Sequence, residues 1–195
     1  MFPRQNTNPL NKIDGWAIGK GWFVRGSILV LFLILSARVI SDPAFIIQRR
    51  DPVDLMDLGV HELGHLLFMF FGQFMHILGG SLFQCLFPLM WLGASLKRGW
   101  YFAACLCLCW AGINLMDVSV YAGDARTRQL PLVCLGNDYD QCHDWYQILS
   151  SLNHLGWDQA VAHTLKILGI ASIAGGLGAG FGLIIRIIGV RPAVE

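Results

Sequence analysis

The stretch Asp54–Phe71, DLMDLGVHELGHLLFMFF, decides how this chain is read. A bilayer-spanning helix needs about 20 mostly apolar residues, and this stretch comes close to that. It nevertheless carries His61-Glu62-Leu63-Gly64-His65 near its middle. Residues i and i+4 lie one turn apart on one helix face, so His61 and His65 present ring nitrogens to a single ion. Glu62 lies beside that face, placed to take a proton from a water held there. Each ionisable group deep in a span costs roughly 2.5–3.5 kcal/mol on insertion scales. Three within five residues need a compensating partner, and a divalent metal, zinc first, supplies one. The bland alternative is a polar face lining a water cavity or packing on another polar helix. A di-iron site built on Glu62-x-x-His65 needs several more carboxylates from facing helices, and the only other Glu is Glu195.

The surrounding chain has the composition of a membrane protein. It has 195 residues, 55% hydrophobic and 14% charged, where soluble domains carry about a quarter charged. Four further apolar runs cover about Trp22–Ile40, Met75–Leu96, Tyr101–Ala122 and His163–Val190. The expected architecture is all-α, a polytopic membrane bundle of about five transmembrane helices forming one domain over residues 1–195. Within the polar loop from Gly123 to Ala162, the apolar residues Ile148, Leu149, Leu152 and Leu155 recur at helical spacing. They predict a short amphipathic helix between the last two spans, lying on the membrane or capping the bundle. No small-residue cleavage site follows the first run, so that run is expected to stay as a helix.

Charge leaves the orientation open. Alternating spans put Arg4, Lys12, Lys20, Arg25, Arg126 and Arg128 on one side, and Arg49, Arg50, Lys97, Arg98 and Arg191 on the other, which is too even for the positive-inside rule. The formal net charge is +1, and no basic patch with interleaved aromatics points to nucleic acid. Cys85, Cys105, Cys107 and Cys109 lie in apolar runs, where a free thiol acts as a small hydrophobe. Cys134 and Cys142 lie in the polar loop and can pair if it faces an oxidising compartment; two unrelated reduced thiols are the alternative. In the last run, Gly175, Gly176, Gly178, Ala179, Gly180 and Gly182 allow close helix approach, more readily within the chain than at a dimer seam.

Zinc that keeps one position open for water needs a third protein ligand. In the fourth run Asn114, Asp117, Tyr121 and Asp124 fall within an arc of about 80° at 100° per residue. A polar stripe on an apolar helix should face the bundle interior. Asp117 best matches the depth of the histidines, and Asp124 and His143 are the alternatives. In His143-Asp144-Trp145 the carboxylate is of the kind that orients a ligand histidine; a solvated loop histidine is the plainer reading. His76, His154 and His163 read as interfacial or polar-segment histidines. Gly79 and Gly80 can expose backbone to an extended peptide, or simply let helices pack closely, while Gln84 and Pro88 form a kinked polar face.

These residues resemble a known family. HELGH inside a hydrophobic span is similar to the HExxH of site-2 proteases, the intramembrane zinc metalloproteases. Those enzymes take a third ligand from an Asp on a later membrane helix, usually in a Leu-Asp-Gly context preceded by Asn and Pro. The nearest match is Asn114-Leu115-Met116-Asp117, which has the Asn and the Asp but not the Pro or the Gly. The resemblance implies His61, His65 and Asp117 as zinc ligands and Glu62 as general base. It implies hydrolysis of peptide bonds in an unwound transmembrane segment of another membrane protein, by an integral protein of the cell (inner) membrane. The sequence carries no sign of a PDZ or CBS module, and none is expected. Its partners would be the lipid bilayer, a membrane protein substrate, and a membrane complex or a second copy of itself. A non-proteolytic relative, serving as a structural or accessory subunit of a membrane complex, is the competing expectation. Metal transport is weaker, because the first and last runs supply few polar residues.

Overall fold

In lipid every backbone N–H and C=O must be satisfied within the segment, so apolar runs of this length become helices. The computed structural model describes residues 9–42, 52–132 and 142–190. The elements are α1 (Pro9–Ala17), α2 (Trp22–Ser41), α3 (Pro52–Phe68) with a 3-10 turn (Met69–Phe71), and α4 (Gln73–Lys97). There follow α5 (Tyr101–Gly123), α6 (Asp144–Ser151), a second 3-10 turn (Leu155–Trp157) and α7 (Asp158–Gly189). Among the described residues there is no strand.

The architecture is therefore all-helical, as expected. Four helices are long and apolar enough to cross a membrane: α2, α4, α5, and α7 with the turn that leads into it. The HELGH helix α3 has 17 residues, about 25 Å at 1.5 Å each, short of a hydrocarbon core of about 30 Å. The amphipathic helix expected in the polar loop is α6, which buries Trp145, Ile148 and Leu149. Helix α1 was not expected. It packs Ile13 and Trp16 against the cluster of Leu29, Phe102 and Leu183, and its Asp14 pairs with Arg186 of α7.

Helix α5 is the hub, burying residues along its whole length, from Phe102 to Ala122. It packs on α7 by backbone approach. A Cβ at Gly112 would lie 2.7 Å from the Gly169 carbonyl oxygen, and one at Gly169 would lie 2.9 Å from that of Gly112. Gly176 meets Cys105 and Cys109 in the same way, and Gly180 meets Leu29 of α2. The small residues of the last helix thus serve packing within the chain at these positions, whereas Gly178 and Gly182 face open space. Helix α6 lies across the end of the bundle, its apolar face on Val118 and Ala122 of α5 and Ile77 and Leu78 of α4. Cys142 is disulfide-bonded, whereas Cys85, Cys105, Cys107 and Cys109 are free. Cys134, the expected partner of Cys142, lies outside the described residues.

Forcing an atom into a close-packed helix contact costs about 1–3 kcal/mol. Gly112→Ala should therefore lower the melting temperature of the detergent-solubilised protein, while Gly178→Ala, with nothing within 4 Å of its Cβ, should leave it unchanged or raise it.

Candidate metal centre

Helices α3 and α4 form a tight hairpin because Gly64 of HELGH opposes Gly79. A Cβ on Gly64 would collide with the Gly79 carbonyl, and one on Gly79 would lie 2.7 Å from the Gly64 carbonyl oxygen. This approach brings the next residue, Gly80, onto the histidine face. A Cβ there would lie 2.5 Å from His61 Nε2 and 2.6 Å from His65 Nε2. The hairpin so leaves a small hollow in front of both ring nitrogens. The third wall is Asp144, first residue of α6, whose Oδ2 lies 3.0 Å from His61 Nε2 and 3.4 Å from His65 Nε2. One ligand atom from each of His61, His65 and Asp144 lies within 4.8 Å of the others.

The far side of each ring decides what this cluster can hold. His65 Nδ1 lies 2.8 Å from the His76 carbonyl oxygen. A carbonyl only accepts, so Nδ1 carries the hydrogen and Nε2 of the neutral ring is bare. His76 Nδ1 donates in return to the His65 carbonyl at 2.9 Å, clasping the end of α3 to the start of α4. His61 Nδ1 lies 3.1 Å from Gln84 Oε1, which sets the same tautomer. With both rings neutral, two bare nitrogens thus face one carboxylate oxygen, lone pair against lone pair, and positive charge between them, a proton or a metal ion, makes that arrangement favourable. A zinc ion fits. Ligand atoms about 2.0–2.1 Å from a tetrahedral ion are about 3.3–3.4 Å apart, close to the separations found here. Metal-ligating histidines also characteristically donate their other N–H to a carbonyl or similar acceptor. Three protein ligands leave a fourth position open.

Gln84 is held in turn by the kink below it. Pro88, inside α4, has no N–H to give the Gln84 carbonyl one turn earlier. Asn114 of α5 supplies the missing donor, its Nδ2 2.8 Å from that oxygen. Asn114, a candidate near the metal by its sequence position, therefore closes the helix ladder behind Gln84.

Asp144 is positioned by a second network. Its backbone N–H donates to the Tyr121 hydroxyl at 2.9 Å, and that hydroxyl donates to the Cys142 carbonyl at 3.3 Å. Trp145 Nε1 donates to Ser81 Oγ of α4 at 3.1 Å. His143 caps α6, its Nδ1 accepting from the Tyr146 N–H at 3.2 Å. Its hydrogen is then on Nε2, directed at Asp124 Oδ2 3.3 Å away. Burial pushes the His143 ring pKa down, with Asp124 opposing, and the net shift is downward, in keeping with this neutral tautomer. Burial pushes Asp124 up, but the N–H of Gln129, the Thr127 hydroxyl, the N–H of Leu130 and His143 more than offset it and hold the carboxyl below its usual range. The helix N-terminus also favours the Asp144 carboxylate.

The structure thus joins His61 and His65, as expected, but not to the expected third residue. Asp117 is outside the cluster and lies near Cys85 of α4. Tyr121 is the α5 residue level with His61, the ring centroids 6.2 Å apart. Asp117 lies one turn away, about 6 Å further along the helix. Asp124 and His143, the alternatives, bind each other and the loop. Asp124 does not take Arg126, which pairs with Asp158 at 2.7 Å. Glu62 is exposed beside the cluster and within electrostatic reach of His65. Among the described residues no hydrogen bond engages its carboxylate.

Gly80→Ala should abolish zinc retention, because the new methyl fills the hollow in front of both rings. Asp124→Asn, which weakens only the support of His143 and α6, should lower zinc affinity about 10–100-fold. Equilibrium dialysis of purified protein reads both. No protein-family model, curated protein or solved structure matches the chain, so the reading of its function rests on this geometry.

Proposed function

We propose that the chain is an intramembrane zinc metalloprotease of the site-2 protease kind, cutting peptide segments of membrane-embedded substrates. The observation that carries this is the convergence of His61 Nε2 and His65 Nε2 on a single Asp144 oxygen next to an unengaged Glu62. We read α3 as a fifth crossing. With the turn Met69–Phe71 it spans 20 residues, about 30 Å. Its exposed side chains, Leu55, Leu58, Leu66, Leu67 and Phe70 among them, suit lipid. The cell (inner) membrane is the proposed location.

In this reading His61, His65 and Asp144 hold zinc. When bound, zinc acidifies a water toward neutral pH and polarises a carbonyl oxygen. Glu62 takes the proton as the water oxygen attacks the scissile carbonyl carbon, and hands it to the departing amine as the C–N bond breaks. His76 and Gln84 fix the ring tautomers. Gly80 keeps side-chain atoms out of the space in front of the two rings, and the close hairpin beneath fixes where the rings stand.

Wild-type protein should carry about one zinc. His65→Ala and Asp144→Ala should lose it, while Glu62→Gln and Asp117→Asn should keep it. Glu62→Gln should also lower hydrolysis of a membrane reporter peptide by about 10²–10⁴-fold, the usual contribution of a general base. A chelator should stop wild-type hydrolysis and added zinc restore it. A wild-type protein that binds no zinc would overturn the protease reading in favour of a non-proteolytic accessory subunit.

A further inference from the structure

The short helix that carries Asp144 is tied down immediately ahead of that residue. Cys142, two positions earlier, is disulfide-bonded, and its carbonyl accepts from Tyr121. Disulfides persist in oxidising compartments and are rare where the thiol pool is reducing. The other described cysteines, Cys85, Cys105, Cys107 and Cys109, are free and lie within the apolar helices α4 and α5, Cys85 packed against the α6 cluster. Lysine and arginine are too evenly divided to orient the chain. The disulfide offers a direction instead, because Cys142, α6 and Asp124 lie together at one end of the bundle, beyond the C-terminal end of α5.

We propose that this end of the bundle opens to an oxidising compartment, and that the disulfide at Cys142 is the tether that keeps Asp144 on the metal. The second half rests on the zinc reading above; the first stands without it. An eight-residue helix is far below the roughly 12–15 residues at which helices become marginal alone in water. Helix α6 therefore keeps its place through its attachments: the apolar face on α4 and α5, the Trp145–Ser81 bond, the Tyr121 hydroxyl under the Asp144 N–H, the His143–Asp124 bond and the link at Cys142. Of these, the link at Cys142 is the covalent one. With it broken, the chain entering α6 is loosened and the carboxylate is held less firmly against the two histidines. Substrate and water then approach from the oxidising face, and the protein stays weakly loaded until it has been inserted and oxidised.

The test uses the full chain in intact cells, with a membrane-impermeant phosphine and a membrane-impermeant maleimide. The phosphine and one water convert the disulfide to two thiols, the phosphine leaving as its oxide. Maleimide should label nothing in the wild type beforehand and should label Cys142 and its partner thiol after the phosphine, whereas in Cys142→Ser the partner thiol alone should be labelled, with or without the phosphine. The same reduction should weaken zinc retention against an external chelator about 10–100-fold, the range for groups that orient a ligand. Labelling of the wild type without phosphine, or labelling that needs permeabilised cells, would overturn the assignment of the face. Zinc retention unchanged by complete reduction would overturn the tether. A wild type devoid of zinc sinks the tether along with the protease reading, while the labelling still decides the face. If Cys142→Ser does not accumulate, mass spectrometry of the labelled wild type locates the modified thiol.

Discussion

Bare imidazole nitrogens repel a carboxylate oxygen, and two of them share one only with positive charge between, a proton or a metal ion. That constraint governs the cluster of His61, His65 and Asp144. His65 is forced into the required tautomer by a backbone carbonyl, His61 by Gln84. Asp144 is brought against both from a separate helix. The glycine pair Gly64 and Gly79 sets how closely α3 and α4 approach, and hence where the rings stand relative to Gly80. The proline kink, the Asn114 bond to Gln84 and the His143–Asp124 pair all lie behind these groups. These polar contacts within a mostly apolar chain hold His61, His65 and Asp144 in register.

Much of the fold was legible because it follows from one-dimensional rules. Apolar runs of membrane length gave α2, α4, α5 and α7 to within a few residues at most ends. The spacing of Ile148, Leu149, Leu152 and Leu155 placed a short helix in the polar loop. Helix α1 escaped because its apolar positions are few and its anchors, Arg186 and Phe102, are remote in sequence. The shortness of α3 was hidden because Met69–Phe71 continue the apolar run while the backbone tightens into a 3-10 turn.

The site was legible in part for a related reason. His61 and His65 are a local pair, and helical periodicity alone places them together. The third carboxylate depends on tertiary placement. Depth matching along α5 favoured Asp117, but level with the histidines stands Tyr121, whose hydroxyl holds the loop bearing Asp144. The run His143-Asp144-Trp145 did stand out, with its roles reversed: the histidine caps the helix and the aspartate faces the rings. Only the direction in which α6 starts separates those two readings, and periodicity does not contain it. His76 offered no signal, since its partner is a backbone carbonyl.

The partition of the cluster between two distant parts of the chain has a consequence for biosynthesis. His61 and Asp144 are 83 residues apart, with α4, α5 and the loop after them in between. At about 5–20 residues per second, a ribosome needs roughly 4–17 s to make that interval. Throughout it the histidine pair exists alone in the nascent chain, a poor chelator. The complete cluster arises only when the later helices and the segment that bears Asp144 have been made. Any ion that needs all three groups is thereby excluded until late in synthesis, and a chain stopped before Asp144 lacks the third group.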